Sequence, residues 1–134
     1  MKTDFIPFQL GEEYDNFEFY LNEFEDLIIC DKYKYIGVDF LSILGQTIKC
    51  IYLYFNSDIL VRVDVILKAK KAQKFIEISE VLNDKMRREG RLNYLQKKIL
   101  QMEWFGNKSL LVLQGNLEEN SLCIILTKKK YLTI

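Results

Sequence analysis

Between Ile48 and Leu67 the chain reads IKCIYLYFNSDILVRVDVIL, two apolar runs on either side of Asn56, Ser57 and Asp58. Alternating runs bounded by turn-forming residues predict a β-hairpin. A three-residue turn sets Phe55 opposite Ile59, Leu53 opposite Val61 and Ile51 opposite Val63, which gathers all six apolar side chains on one face. In that register the other face pairs Tyr54 with Leu60, Tyr52 with Arg62 and Cys50 with Asp64. Tyrosine and arginine bury much area while keeping a polar tip, and both are enriched where proteins meet. Tyr52, Tyr54 and Arg62 are therefore candidate partner-binding residues on an amphipathic face, with Tyr52 and Arg62 expected to be at least partly exposed.

Upstream, FEFYLNEF alternates Phe17, Phe19 and Leu21 with Glu18 and Asn22, which predicts a half-buried strand within Phe17–Ile29. QLGEEYDN before it reads as a loop or a single helical turn, YKYIGVDF as a short strand, and LSILGQT as a connection punctuated by Gly45. Downstream, AKKAQKFIEISEVLNDKMRREG repeats Ala72, Phe75, Ile76, Ser79, Leu82, Asn83 and Met86 at spacings of three and four, the mark of one long amphipathic helix. Lys85, Arg87 and Arg88 complement the negative end of its dipole, and Gly90 stands where a left-handed residue is expected to close it. KKILQMEWF, SLLVLQG and SLCIILTKKKY predict three more strands, joined by hairpin connections at GNK and GNLEEN.

Strands adjacent in sequence and joined by short turns imply an antiparallel sheet. The expected fold is α+β: a two-layer sandwich in which a sheet of about six or seven strands packs against one long amphipathic helix. At 134 residues the chain predicts a single α+β domain over 1–134. An open sheet has two edges, and SLCIILT is read as an edge through which two copies form a homodimer.

Composition narrows the chemistry. The chain has no histidine, which removes the commonest general base and metal ligand and every Ser-His or Cys-His nucleophile pair. Cys30, Cys50 and Cys123 have no metal-ligand spacing and read as buried free thiols. Glu23, Glu25 and Asp26 do not have the spacing of a calcium loop, and no phosphate loop, GxSxG or HExxH is present. The expectation is a chain that is not an enzyme, with no catalytic residues, no metal and no cofactor. Lys68, Lys70, Lys71, Lys74, Lys85, Arg87 and Arg88 are interspersed with Glu77, Glu80, Asp84 and Glu89, and the pI is about 6.3. That is a solvated helix face rather than a nucleic-acid patch. No apolar run reaches the ~18 residues of a membrane span, and acids stand where a signal peptide needs apolar residues, so no membrane partner and a cytoplasmic location are expected.

Net charge is zero overall, yet residues 1–31 hold nine acids against Lys2 alone, about −8, leaving about +8 for the remainder. Such an asymmetry means either a basic partner or two halves that neutralise one another in the fold. The acidic aromatic segment EEYDNFEFYLNEFED supplies the other candidate partner-binding residues: Glu12, Glu13, Tyr14, Asp15, Glu18, Tyr20, Glu23, Glu25 and Asp26.

In size, two-layer α+β outline, lack of catalytic residues and this acidic aromatic segment, the chain resembles the small bacterial toxin-immunity and inhibitor proteins. The resemblance implies a non-catalytic module that neutralises a partner protein, a toxin or enzyme with a basic surface such as a nuclease groove. Two alternatives stay open on the residues: a phage-encoded anti-defence inhibitor, and a small-molecule-binding domain with an aromatic-lined cavity.

Overall fold

Strands account for nearly half of the chain: β1 (Leu21–Asp26), β2 (Asp31–Tyr35), β3 (Ser42–Ile43), β4 (Gln46–Asn56), β5 (Ile59–Leu67), β6 (Arg91–Gln96), β7 (Ile99–Phe105), β8 (Ser109–Asn116) and β9 (Ser121–Lys128), with one α-helix, α1 (Ala72–Met86), between β5 and β6. The computed structural model describes residues 2–68, 72–96 and 98–133, and the side chains among them except at 72–73 and 94–96. All nine strands belong to one antiparallel sheet in the order β1-β2-β4-β5-β9-β8-β7-β6, with β3 paired to the start of β4.

This corrects the expected two-layer sandwich with a long helix. Eight strands side by side span about 34 Å, whereas α1 has 15 residues, about 22 Å in length and 10 Å in width. One helix of that size cannot cover such a face. Phe75, Ile78 and Leu82 of α1 pack with Leu111 and Leu113 of β8, and the same core is continued by Ile6 and Phe8 of the N-terminal segment, Phe8 meeting Phe17, Tyr35 and Phe40 edge to face. SLCIILT is likewise not an edge. It forms β9, paired on one side with β5 and on the other with β8, and its Leu122, Ile124, Ile125 and Leu126 are buried. The edges of the sheet are β1 and β6.

The hairpin turns more tightly than its pattern predicts. Ser57 and Asp58 alone form the turn, both with positive φ, so Asn56 pairs with Ile59 and Phe55 with Leu60. That is a two-residue turn of the kind whose twist suits a hairpin. A bulge then inserts Val61 as an extra residue, and pairing resumes with Tyr54 opposite Arg62, Leu53 opposite Val63 and Tyr52 opposite Asp64. Val61 thus leaves the face of Leu53, Phe55 and Val63 and joins Cys30, Tyr54 and Tyr131 on the second face of the sheet. A strict period of two, applied across a bulge, puts Val61 on the wrong side.

Three other expectations change. The strand expected within Phe17–Ile29 begins only at Leu21, because Tyr14–Asn16 and Glu18–Tyr20 are single 3-10 turns; the turn option for EEYDN holds. The helix predicted from Ala69 is described from Ala72, with 69–71 outside the described residues. Its buried stripe runs Phe75, Ile78, Ser79, Leu82, and Ile76 faces out.

The helix also closes earlier than Gly90. Arg87 is the left-handed residue, at φ 56°, and the main-chain bonds from Arg87 N to Asp84 O and from Arg88 N to Asn83 O complete a Schellman closure without glycine. Gly90 serves packing instead. A Cβ there would lie 2.6 Å from Trp104 Cε2, and its N–H donates to Asn83 Oδ1, which also accepts from the Trp104 indole. The two positions should respond in opposite senses in chemical denaturation. Arg87→Gly relieves a left-handed side chain and should stabilise by about 0.5–1 kcal/mol, whereas Gly90→Ala drives into Trp104 and should cost about 1–3 kcal/mol.

Candidate functional site

Of the residues on the second face of the hairpin, two are not available to a partner. Tyr54 and Arg62 are 3% and 6% exposed, and with Asp64 they form a buried network. Arg62 Nε donates to Asp64 Oδ1 at 2.7 Å and Arg62 Nη2 to Oδ2 at 3.0 Å, a two-pronged pair, while the Tyr54 hydroxyl donates to Oδ2 at 2.9 Å. Arg62 Nη1 reaches the C-terminal segment, donating to the carbonyls of Tyr131 and Leu132 at 2.8 Å each. The expectation that Arg62 lies at least partly exposed is therefore corrected: the bulge and the C-terminal 3-10 turn Lys129–Tyr131 enclose it. Burial opposes its charge, but the hydrogen bond and charge of Asp64 outweigh that and raise its pKa. Burial, then Asp64, pushes the Tyr54 phenol up as well.

Tyr52 stands differently. It is half-buried, with its ring 4.9 Å from that of Phe24 on β1, and Lys32 Nζ lies over both rings, 4.4 Å from Tyr52 and 4.8 Å from Phe24. Lys32 is the cross-strand neighbour of Glu25, yet its ammonium sits on the aromatic faces.

The acidic segment surrounds this corner. Glu13, Asp15, Glu18, Tyr20, Glu23, Glu25 and Asp26 are exposed. Glu12 is half-buried, and its carboxylate accepts the Gln9 N–H at 2.8 Å, closing a local turn. Glu13 forms a bridge to Ile59, and Tyr14 packs its ring against Tyr33 and Phe55, so these two are anchors of the segment as much as surface. Among the described residues the ion pairs are Arg62–Asp64 and Lys74–Glu77, and no acid of residues 12–26 takes part in either. Among the described residues the segment is not neutralised by direct contact with a cation.

Apolar side chains lie exposed along and after this stretch: Phe19 at 87%, Phe24 at 54% and fully exposed Ile28, followed by Ile36, Val38 and Leu41 after β2. Sequence reasoning missed the last four, because apolar residues beside a strand are read as core. The signal was their setting, Ile28 between Asp26 and Asp31, Val38 between Gly37 and Asp39. Together with the acids they make the β1 end of the sheet a charged surface that also exposes apolar side chains.

Elsewhere the surface offers little chemistry. Grooves of about 430 and 480 Å³ adjoin on the second face where β4, β5 and β9 end, lined by Lys34, Lys49, Lys68, Tyr52, Ile66, Glu119 and Ser121 among others. Burial raises the pKa of the Cys30 thiol, and that of Cys123 well above its usual range, which holds both in the unreactive protonated form. Among the described residues no group of three or more His, Cys, Asp or Glu converges as for a metal, and no helix is long and apolar enough to cross a membrane. No protein-family profile, curated protein or solved structure matches the chain.

Two measurements check this geometry. Arg62→Met leaves Asp64 buried without its cation and releases the two C-terminal carbonyls, so it should cost about 3–5 kcal/mol in urea unfolding; the double variant Arg62→Met with Asp64→Leu should recover most of the loss. Burial, then the neighbouring Tyr14, pushes the Tyr33 phenol up to about 12. Folding holds that phenol protonated, so its contribution is complete below the ordinary tyrosine value near 10 and is lost as pH rises through about 12. A tyrosinate absorbance titration should show delayed ionisation in the folded chain, with stability falling over that window and less so in Tyr33→Phe.

Proposed function

We propose that the chain is a non-catalytic protein-binding module that neutralises a partner with a basic surface, in the manner of an immunity protein against a bacterial toxin. One observation carries this reading: the exposed acids Glu13, Asp15, Glu18, Glu23, Glu25 and Asp26 lie along the same stretch of chain as exposed Phe19, Phe24 and Ile28 and enter no ion pair among the described residues. Concentrated unpaired charge of one sign attracts a partner of the other sign, and apolar anchors beside it convert encounter into residence. A nuclease fits as the target, because a groove that binds phosphate is basic. Tyr52 belongs to this surface through Phe24. Tyr54 and Arg62 stand behind it as structural support.

The test is to purify the chain with the product of its neighbouring gene and follow association by stopped-flow fluorescence at several salt concentrations. Glu18→Lys with Glu25→Lys should leave the melting temperature within a few degrees, since neither acid takes part in an ion pair of the described structure. The same pair should slow association about tenfold at low salt and flatten its salt dependence. A marked fall in melting temperature with an unchanged on-rate would remove the acidic surface from the binding role. Hydrolase or nuclease activity of the purified chain, lost on mutating Glu23, Glu25 or Asp26, would overturn the non-catalytic reading itself.

A further inference from the structure

The acids do not stand on an arbitrary surface: Glu23, Glu25 and Asp26 lie on the terminal strand of the sheet. Among the described residues β1 pairs with β2 alone. The Ile36 N–H donates to Tyr20 O at 2.8 Å, which sets the alternation of bonding along the strand. With Tyr20 and Asn22 bonded inward to β2, the N–H and C=O groups of Leu21 and Glu23 point away from the sheet. The bulge at Phe24 ends this regular stretch, so the free edge is short. Phe19 and Phe24, both exposed, bracket it.

We infer that an extended basic segment of the partner adds to this edge as a further strand, hydrogen-bonded to the main chain of Leu21 and Glu23. The inference rests on the reading of the acidic surface as the docking site and names how docking occurs. Charge selects the occupant. A second copy laid antiparallel on β1 would bring Glu23, Glu25 and Asp26 of both chains together, and like charges across a strand pair are unfavourable. A strand alternating lysine or arginine with apolar residues meets Glu23 with one parity and Phe24 with the other.

The probe is a capped hexapeptide alternating lysine with valine, titrated into the labelled chain and followed by amide chemical shifts and hydrogen exchange, with a glutamate–valine hexapeptide as control. The lysine peptide should shift and protect the Leu21 and Glu23 amides, and the glutamate peptide should not. Glu23→Pro deletes an outward N–H without touching the bonds to β2, a substitution an edge strand tolerates. It should weaken the lysine peptide about tenfold while the β2 amides keep their shifts. Wild-type protection of the two amides decides the matter even if that variant folds poorly. Binding that prefers lysine but leaves those amides unprotected overturns strand addition and spares the acidic docking surface. Equal binding of both peptides overturns both. A concentration-dependent dimer that protects the same amides without peptide gives the edge to a second copy and overturns the inference.

Discussion

β5 is buried on both faces, and a strand in that position cannot carry a lone charge. Val63, Val65 and Leu67 face one side; Val61, Arg62 and Asp64 face the other. Arg62 and Asp64 are tolerated because each satisfies the other and the remaining hydrogen-bonding capacity is taken up by Tyr54 and the C-terminal carbonyls. The pair also fixes the arrangement around it. It requires the bulge that brings Arg62 and Tyr54 opposite each other, and it anchors the C-terminal turn whose Tyr131 packs over Val61 and Cys30. The second face is thereby covered where β4 and β5 cross it, and its exposed surface is displaced toward β1 and β2.

That displacement explains why the acids and the apolar anchors coincide. Exposed acids held on one edge repel one another, and salt screens the repulsion only partly, since Glu23, Glu25 and Asp26 are neighbours on a single strand. Cross-strand geometry offers relief through Lys32, but its ammonium is held over Phe24 and Tyr52, and among the described residues the carboxylates enter no ion pair. A surface that keeps its charge when a lysine stands one strand away is arranged to present that charge outward.

How much of this could be read from the chain depends on which residues carry two duties. The antiparallel pairing, the helix and its Phe75 and Leu82, and strands β7 to β9 follow from periodicity and turn residues, because each of those positions has one burial requirement. The hairpin register did not follow, since a bulge at Val61 costs one residue of phase and leaves no compositional mark. Arg62 was legible as an unusual residue in a strand but not as a buried one, because its partners are Asp64, two positions along, and carbonyls about seventy residues away. Gly90 signalled a helix end and serves Trp104. The width of the sheet was underestimated for a related reason: AKKAQKF marks a helix whatever the number of strands it must cover, and the share covered by Ile6 and Phe8 has no periodic signature.

The acidic segment was legible in composition, and its meaning comes from position. A sheet of this kind has two exposed edges, and an edge is a site of unwanted pairing unless charge, a bulge or brevity guards it. β1 has all three: six residues, a bulge at Phe24, and three acids. Each of these guards against a neutral or like-charged strand. The acids do not guard against a basic one, since complementary charge removes the repulsion, and the bulge leaves Leu21 and Glu23 open on its N-terminal side. In the proposed binding mode the features that guard β1 against a second copy are the same features that fix the sign, and the short reach, of the strand it takes.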